Sequence, residues 1–231
     1  MIPLKNLRPR THFPSVTLAL IIANFAVFFY QLTLSQRALQ AFITTYSLIP
    51  ARVQLALAGS HFTLAQAFVP FFTSMFLHAG WLHIIGNMWF LWLFGGNVED
   101  RLGHIPYLGF YFVCGLGAGT AQTLFSLGST IPSLGASGAI AGVLGAYIIF
   151  FPSSEILTLV TLFFWWFFAR LPAVLFIGLW FLVQFLSGVS SLGSAAQGGV
   201  AWWAHVGGFL LGMLLVSGMR RKQPYGSYNY S

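Results

Sequence analysis

Apolar residues run along this chain in long stretches broken by short polar, glycine or proline segments, and the stretches follow neither a soluble amphipathic helix nor a half-buried strand. A membrane crossing needs about 20 apolar residues for a hydrocarbon core of about 30 Å. Six segments reach or approach that length, at about 16–34, 78–96, 105–126, 136–151, 171–189 and 200–218. The stretch 155–189 is apolar except for Glu155, Arg170 and Pro172, and is too long for one crossing. Its first part, 156–169, has 14 residues. At about 1.5 Å per residue a helix of that length falls short of the core. The cluster Phe164, Trp165, Trp166, Phe167 and Phe168 predicts an interfacial or half-inserted segment at an aromatic belt. The pattern predicts an all-α membrane protein of six spans, with a long first outer loop at 35–77 lying partly in the interface.

Composition agrees. Of 231 residues, 58% are hydrophobic and 6% charged, where a soluble domain carries about 25% charged residues. The net charge of +7 does not point to nucleic acid, because the basic residues gather at the ends: Lys5, Arg8 and Arg10, then Arg220, Arg221 and Lys222. Six spans put both clusters on one side with Arg101 and Arg170, leaving only Arg37 and Arg52 opposite. The positive-inside rule then makes both termini cytoplasmic. The expected division is one membrane domain, 1–218, and a basic, disordered cytoplasmic tail, 219–231. Cys114, the single cysteine, reads as a small buried apolar residue.

Strongly polar side chains inside spans are expensive and are candidates for function. His83 and Asn87, four apart, share a face of the second span. Ser137 opens the fourth within Gly135-Ala136-Ser137-Gly138, and His205 lies in the sixth ahead of Gly208 and Gly212. Counted back to the cytoplasmic ends, Asn87 and His83 lie 12 and 16 residues before Glu99, Ser137 lies 15 before Pro152, and His205 lies 15 before Arg220. At about 1.5 Å per residue all four share one layer, roughly 18 to 24 Å above the inner boundary. Gly138 with Gly142, and Gly208 with Gly212, offer small-residue faces through which the fourth and sixth helices could meet.

A serine hydroxyl beside an imidazole is the minimum for nucleophilic catalysis, and no carboxylate lies at this depth, so the pair would be a dyad. Asn87, His83 and the Ser137 backbone N–H at a helix start could stabilise an oxyanion. Each motif alone also has a plainer reading, as a small-residue helix contact or an interhelical hydrogen bond. His12, His61, His78 and His104 read as structural or interfacial, and Glu99, Asp100 and Arg101 as a local cluster closing a cytoplasmic turn. Three acidic residues and no H-E-x-x-H leave metal chemistry unsupported, and no cofactor is expected.

The run from Phe76 through His78, Gly80, Trp81, His83 and Gly86 to Asn87, then Gly135-Ala136-Ser137-Gly138, then Ala204-His205-Val206-Gly207-Gly208 with Gly212, resembles the rhomboid family of intramembrane serine proteases, of the bacterial six-span type. The resemblance covers about 12–218. It implies a rhomboid-like six-helix bundle that cuts transmembrane segments of other membrane proteins near their extracytoplasmic end. It implies Ser137 as nucleophile, His205 as base and then acid, and His83 and Asn87 as oxyanion donors, with the lipid bilayer and transmembrane substrates as partners. It also implies that movement of the fifth span or of the loop capping the site admits substrate. The expected location is a bacterial inner membrane; a non-catalytic relative that binds and escorts transmembrane segments is the alternative. Some bacterial relatives carry Tyr four residues after the nucleophile and a bulky residue before the oxyanion Asn. Here those positions are Ala141 and Gly86, which leaves open what stacks on His205 and what gates the site.

Overall fold

The long apolar runs fold as helices that bury polar residues and expose apolar ones. In the computed structural model, which describes residues 1–60, 62–162, 164–192 and 200–219, helix α1 (Ser15–Thr33) buries Thr17, Leu20, Asn24, Phe28 and Gln31 on one stripe. Its opposite side exposes Ile22, Phe29, Tyr30 and Leu32. Water would reverse that arrangement and lipid favours it. His61 and the expected basic tail, from 220 onward, lie outside the described residues.

The segment 35–77, expected as a loop, is largely helical: α2 (Gln36–Tyr46), α3 (Pro50–Leu57), α4 (Leu64–Thr73) and a 3₁₀ turn at Ser74–Phe76. The starts have local causes. Ser35 caps α2, Pro50 begins α3, and Thr63 with Gln66 forms a capping box on α4. After a sharp bend come α5 (Trp81–Phe90), a π-helical turn (Leu91–Gly95) and α6 (Gly96–Leu102), followed by α7 (His104–Phe125) and α8 (Ser137–Phe150). The helical order ends with α9 (Ala173–Ser191) and α10 (Trp202–Ser217).

Among the described residues, α1, α7 and α9 are each long and apolar enough to cross a membrane. The pair Leu64–Phe76 and Trp81–Leu102, bent by 78°, makes a fourth candidate if taken as one span. Helices α8 and α10, with 14 and 16 residues, are apolar but shorter. The chain is therefore a mostly helical membrane protein with three to four candidate spans by length and apolarity, against the six expected.

The all-α expectation needs correction. A three-stranded antiparallel sheet in the order β1 (Ile2–Asn6), β2 (Glu155–Leu162), β3 (Trp165–Pro172) joins the N-terminus to the segment expected to lie at an aromatic belt. The physical cause is a short period-2 pattern of branched side chains: Ile156, Thr158 and Val160 are buried in alternation along β2. On β3 and its turn, Phe164, Trp165, Trp166 and Phe168 remain exposed. Asn6 fastens the sheet to the helices, donating to the Leu93 carbonyl and Asn97 Oδ1 and accepting from the Tyr147 hydroxyl.

Glu99 and Asp100 also act at long range, not as a local cluster. The Glu99 carboxylate accepts from the N–H groups of Val16 and Thr17, from Thr17 Oγ1 and from His104 Nδ1. It caps α1, whose own N-cap residue, Pro14, supplies no side-chain bond. Asp100 holds the backbone N–H groups of Thr11 and His12.

Helix α8 is the centre of the molecule: every residue from 138 to 147 is buried. Its contact with α10 is made through backbone. A methyl on Gly208 would strike the Gly138 carbonyl, and one on Gly212 the Gly142 carbonyl, so neither position has room for a side chain. Gly212→Ala should therefore lower the thermal midpoint of the detergent-solubilised protein by about 3 to 10 °C, from an overpacking cost of about 1–3 kcal/mol. Gly86→Ala, where nothing lies within 4 Å of the added methyl, should leave the midpoint unchanged by the same tryptophan-fluorescence melt.

Candidate active site

The α8–α10 contact brings the start of one helix against the first turn of the other. Ser137 is the first residue of α8 and half-buried; His205 lies in the first turn of α10 and is 9% exposed. Ser137 Oγ and His205 Nε2 are 2.7 Å apart. The start of α10 is fixed from α7: Gln122 Oε1 accepts the Ala204 N–H at 3.1 Å, while its amide donates to Ser126 Oγ. The Ala204 N–H, which also donates to the Ala201 carbonyl at 3.1 Å, is thereby held from a second helix one residue before His205.

His83 and Asn87, both on α5, approach the same place. Their Nε2 and Nδ2 atoms lie 2.7 and 3.5 Å from the point a Cβ on Gly135 would occupy, two residues before Ser137. Gly135 has φ +120°, a conformation open to glycine and strained for other residues. It leaves the space into which both nitrogens point. The Ala79 N–H donates to His83 Nδ1 at 3.4 Å, which puts the ring's proton on Nε2, facing that space. The site thus unites a hydroxyl, an imidazole and side-chain N–H donors, together with the free first-turn N–H groups of α8.

Two residues that reading the sequence did not single out complete it. His78, read there as structural or interfacial, accepts from Asn87 Nδ2 through its own Nε2 at 2.9 Å. Its backbone is clamped by Gln31, which donates to the His78 carbonyl and accepts from the His78 N–H, each at 3.1 Å. Gln184, buried on α9, places its Oε1 2.7 Å from His205 Nδ1. The signal for Gln184 was present in the sequence: it is an amide inside an apolar run. The ring of His205, which has Ala141 rather than a tyrosine in the helix below, has Trp180 at 5.9 Å and tilted 39°, and Trp202 edge-on at 6.3 Å.

A cavity of about 340 Å³ lies against His83, Gln122, Ser133, Leu134 and Ala201. A smaller one of about 40 Å³, sharing Gln122, Ser133, Leu134 and Ala201, reaches Ser137. The first has the size of a small-molecule pocket, large enough for an apolar side chain. Among the described residues no group of three or more His, Cys, Asp and Glu is arranged to hold a metal ion.

A family model described as the rhomboid domain matches residues 65–222, more than half of the chain and all of the site. The chain belongs to the rhomboid family. It is 28% identical over 236 aligned positions to RHOMBOID-like protein 1 of Arabidopsis thaliana, covering 94% of this chain and 56% of that protein. It is 34% identical over 152 positions to Rhomboid protein 1, mitochondrial, of Saccharomyces cerevisiae, covering 61% of this chain and 39% of the yeast protein. With Presenilin-associated rhomboid-like protein A, mitochondrial, of Danio rerio, it shares 32% identity over 90 positions, 38% of this chain and 24% of the fish protein. This rhomboid thus spans little more than half the length of these relatives, or less. They are plant, yeast and fish proteins, and they give no support to the expected bacterial membrane.

The geometry around Gly135 can be tested by itself. Gly135→Ala should slow covalent labelling of Ser137 by a fluorophosphonate by about a hundredfold, the typical cost of losing an oxyanion donor. Gly178→Ala, on α9 with nothing within 4 Å of the new methyl, should label at the parent rate.

Proposed function

We propose that this rhomboid is an intramembrane serine endopeptidase that cuts transmembrane segments of other membrane proteins near their extracytoplasmic end. The observation that carries the reading is the 2.7 Å approach of Ser137 Oγ to His205 Nε2, in a chain whose helices α1, α7, α8, α9 and α10 hold no Asp, Glu, Lys or Arg. In the reaction, Ser137 Oγ bonds to the scissile carbonyl carbon as its proton passes to His205 Nε2, and the carbonyl π pair moves onto oxygen. His83 Nε2–H, the Asn87 amide and the Ser137 N–H hold that oxyanion. The ring returns its proton to the leaving nitrogen as the C–N bond breaks. Water then repeats the sequence on the acyl-serine, giving one proton to His205 and releasing the new carboxyl terminus from Ser137.

The proposed topology is six crossings by α1, α5–α6, α7, α8, α9 and α10, with 1–218 as one membrane domain and both termini cytoplasmic. At about 1.5 Å per residue, α8 and α10 span about 21 and 24 Å. A core of about 30 Å would put the starts of both helices below its outer face. The non-helical approach to Ser137 is tolerable at that depth because it lines a cavity. The exposed aromatics of β3 fit the cytoplasmic interface. Cys114 is buried, so cysteines introduced as Lys5→Cys and Arg37→Cys can be labelled selectively with an impermeant maleimide in oriented vesicles. They should react from opposite faces, and labelling from the same face would contradict the arrangement.

Ser137→Ala and His205→Ala should each abolish cleavage of a model transmembrane substrate in liposomes while leaving the protein folded. Asn87→Ala should lower kcat by about 10²- to 10³-fold with little change in KM. Cleavage retained without Ser137 or His205 would sink the mechanism. Substrate binding by the parent protein with no cleavage would favour a role in escorting transmembrane segments.

A further inference from the structure

We infer that Gln184 is the positioning residue for His205, supplying from α9 the acceptor that holds the imidazole in its base-competent tautomer. The inference rests on the Ser137–His205 reading and adds a third member to it. A neutral imidazole carries one N–H, and for Nε2 to accept the Ser137 proton that hydrogen must sit on Nδ1. An N–H on Nδ1 buried in an apolar bundle needs an acceptor. Gln184 Oε1 is 2.7 Å from Nδ1, on the side of the ring opposite Ser137.

The same oxygen serves both states of the ring. When Nε2 takes the proton, both ring nitrogens become donors, and the Gln184 carbonyl keeps the Nδ1 bond while its dipole faces the new positive charge. Gln184 gains and loses no proton. With the Gln184 amide oriented as it is, the alternative tautomer, with hydrogen on Nε2, would leave Nδ1 as an acceptor facing the carbonyl oxygen and would present Ser137 with a donor. That combination is repulsive on one side and unproductive on the other. An amide achieves this at lower desolvation cost than a carboxylate buried in a span.

Gln184 does not act alone on this helix. Trp180, one turn earlier on α9, lies beside the same ring. Helix α9 meets the rest of the molecule along a narrow stripe: it buries Ala173, Phe176, Ile177, Gln184 and Gly188 and exposes Val174, Leu179, Val183, Leu186 and Val189. The orientation of the base therefore depends on α9 being seated, and a displacement that separates Gln184 from His205 releases the ring.

The test uses the full chain in liposomes with a model transmembrane substrate. Gln184→Met keeps the volume and removes the acceptor; kcat should fall by about a hundredfold, the scale of a general-base contribution, with KM unchanged and the variant still folded. Gln184→Glu restores an acceptor at the same reach and should bring kcat back to within about tenfold of the parent, since only the acceptor is required. Gln184→Asn, as polar as the parent but one methylene short, should lose kcat as Gln184→Met does, and serves in its place if the methionine variant does not fold. Parent-level kcat in a folded Met or Asn variant, or failure of Glu to exceed Met, overturns the inference. Fluorophosphonate labelling of Ser137 separates the two readings. If the parent protein is neither labelled nor active, the Ser–His reading fails and this one with it; if the parent is labelled and Gln184→Met is labelled as fast, the Gln184 inference alone fails.

Discussion

A serine and a histidine on two different helices can share a hydrogen bond only if the helices come unusually close, and here α8 and α10 touch through their backbones. Gly208 lies against the Gly138 carbonyl and Gly212 against that of Gly142, so the distance between the helices is set by main chain. That closeness carries Ser137 and His205 to 2.7 Å. In lipid no hydrophobic force drives helices together, and close packing of small residues is what remains to hold them. The rest of the site is arranged around this contact.

What surrounds it is a set of neutral amides that reach between elements. Gln31 of α1 clamps the backbone at His78, and His78 in turn accepts from Asn87. Gln122 of α7 holds the start of α10, and Gln184 of α9 meets His205. Each of these side chains is buried, and each bridges two segments that apolar contact alone would leave free to slide. Amides suit the task because they donate and accept without bringing charge into the bilayer. Glu99 and Asp100 do comparable work on α6, tying the N-terminal segment and the start of α1 to it.

Much of the helical frame is legible in the sequence, because long apolar runs have few other ways to satisfy their backbone in lipid. Ser137, His205, His83 and Asn87 stand out for a related reason: polar groups in such runs are costly. The three-stranded sheet is not legible on that scale. The alternation of Ile156, Thr158 and Val160 is a short period-2 signal inside a run that is apolar throughout, and its partner β1 is more than a hundred residues away. The helices of 35–77 are masked by their mixed composition, although the capping residues Ser35 and Thr63 announce two of them. Gln184 sits in an apolar run that reads as a plain span, and nothing in its local sequence says that it faces an imidazole contributed from another helix.

The central claim is a geometric one, that an oxyanion formed on Ser137 points at His83 and Asn87. The most direct measurement is an experimental structure of the fluorophosphonate adduct in a lipidic phase. The account predicts phosphorus bonded to Ser137 Oγ, with one phosphoryl oxygen about 2.7 to 3.1 Å from both His83 Nε2 and Asn87 Nδ2. An adduct on another residue, or a phosphoryl oxygen turned away from those two nitrogens, would contradict it.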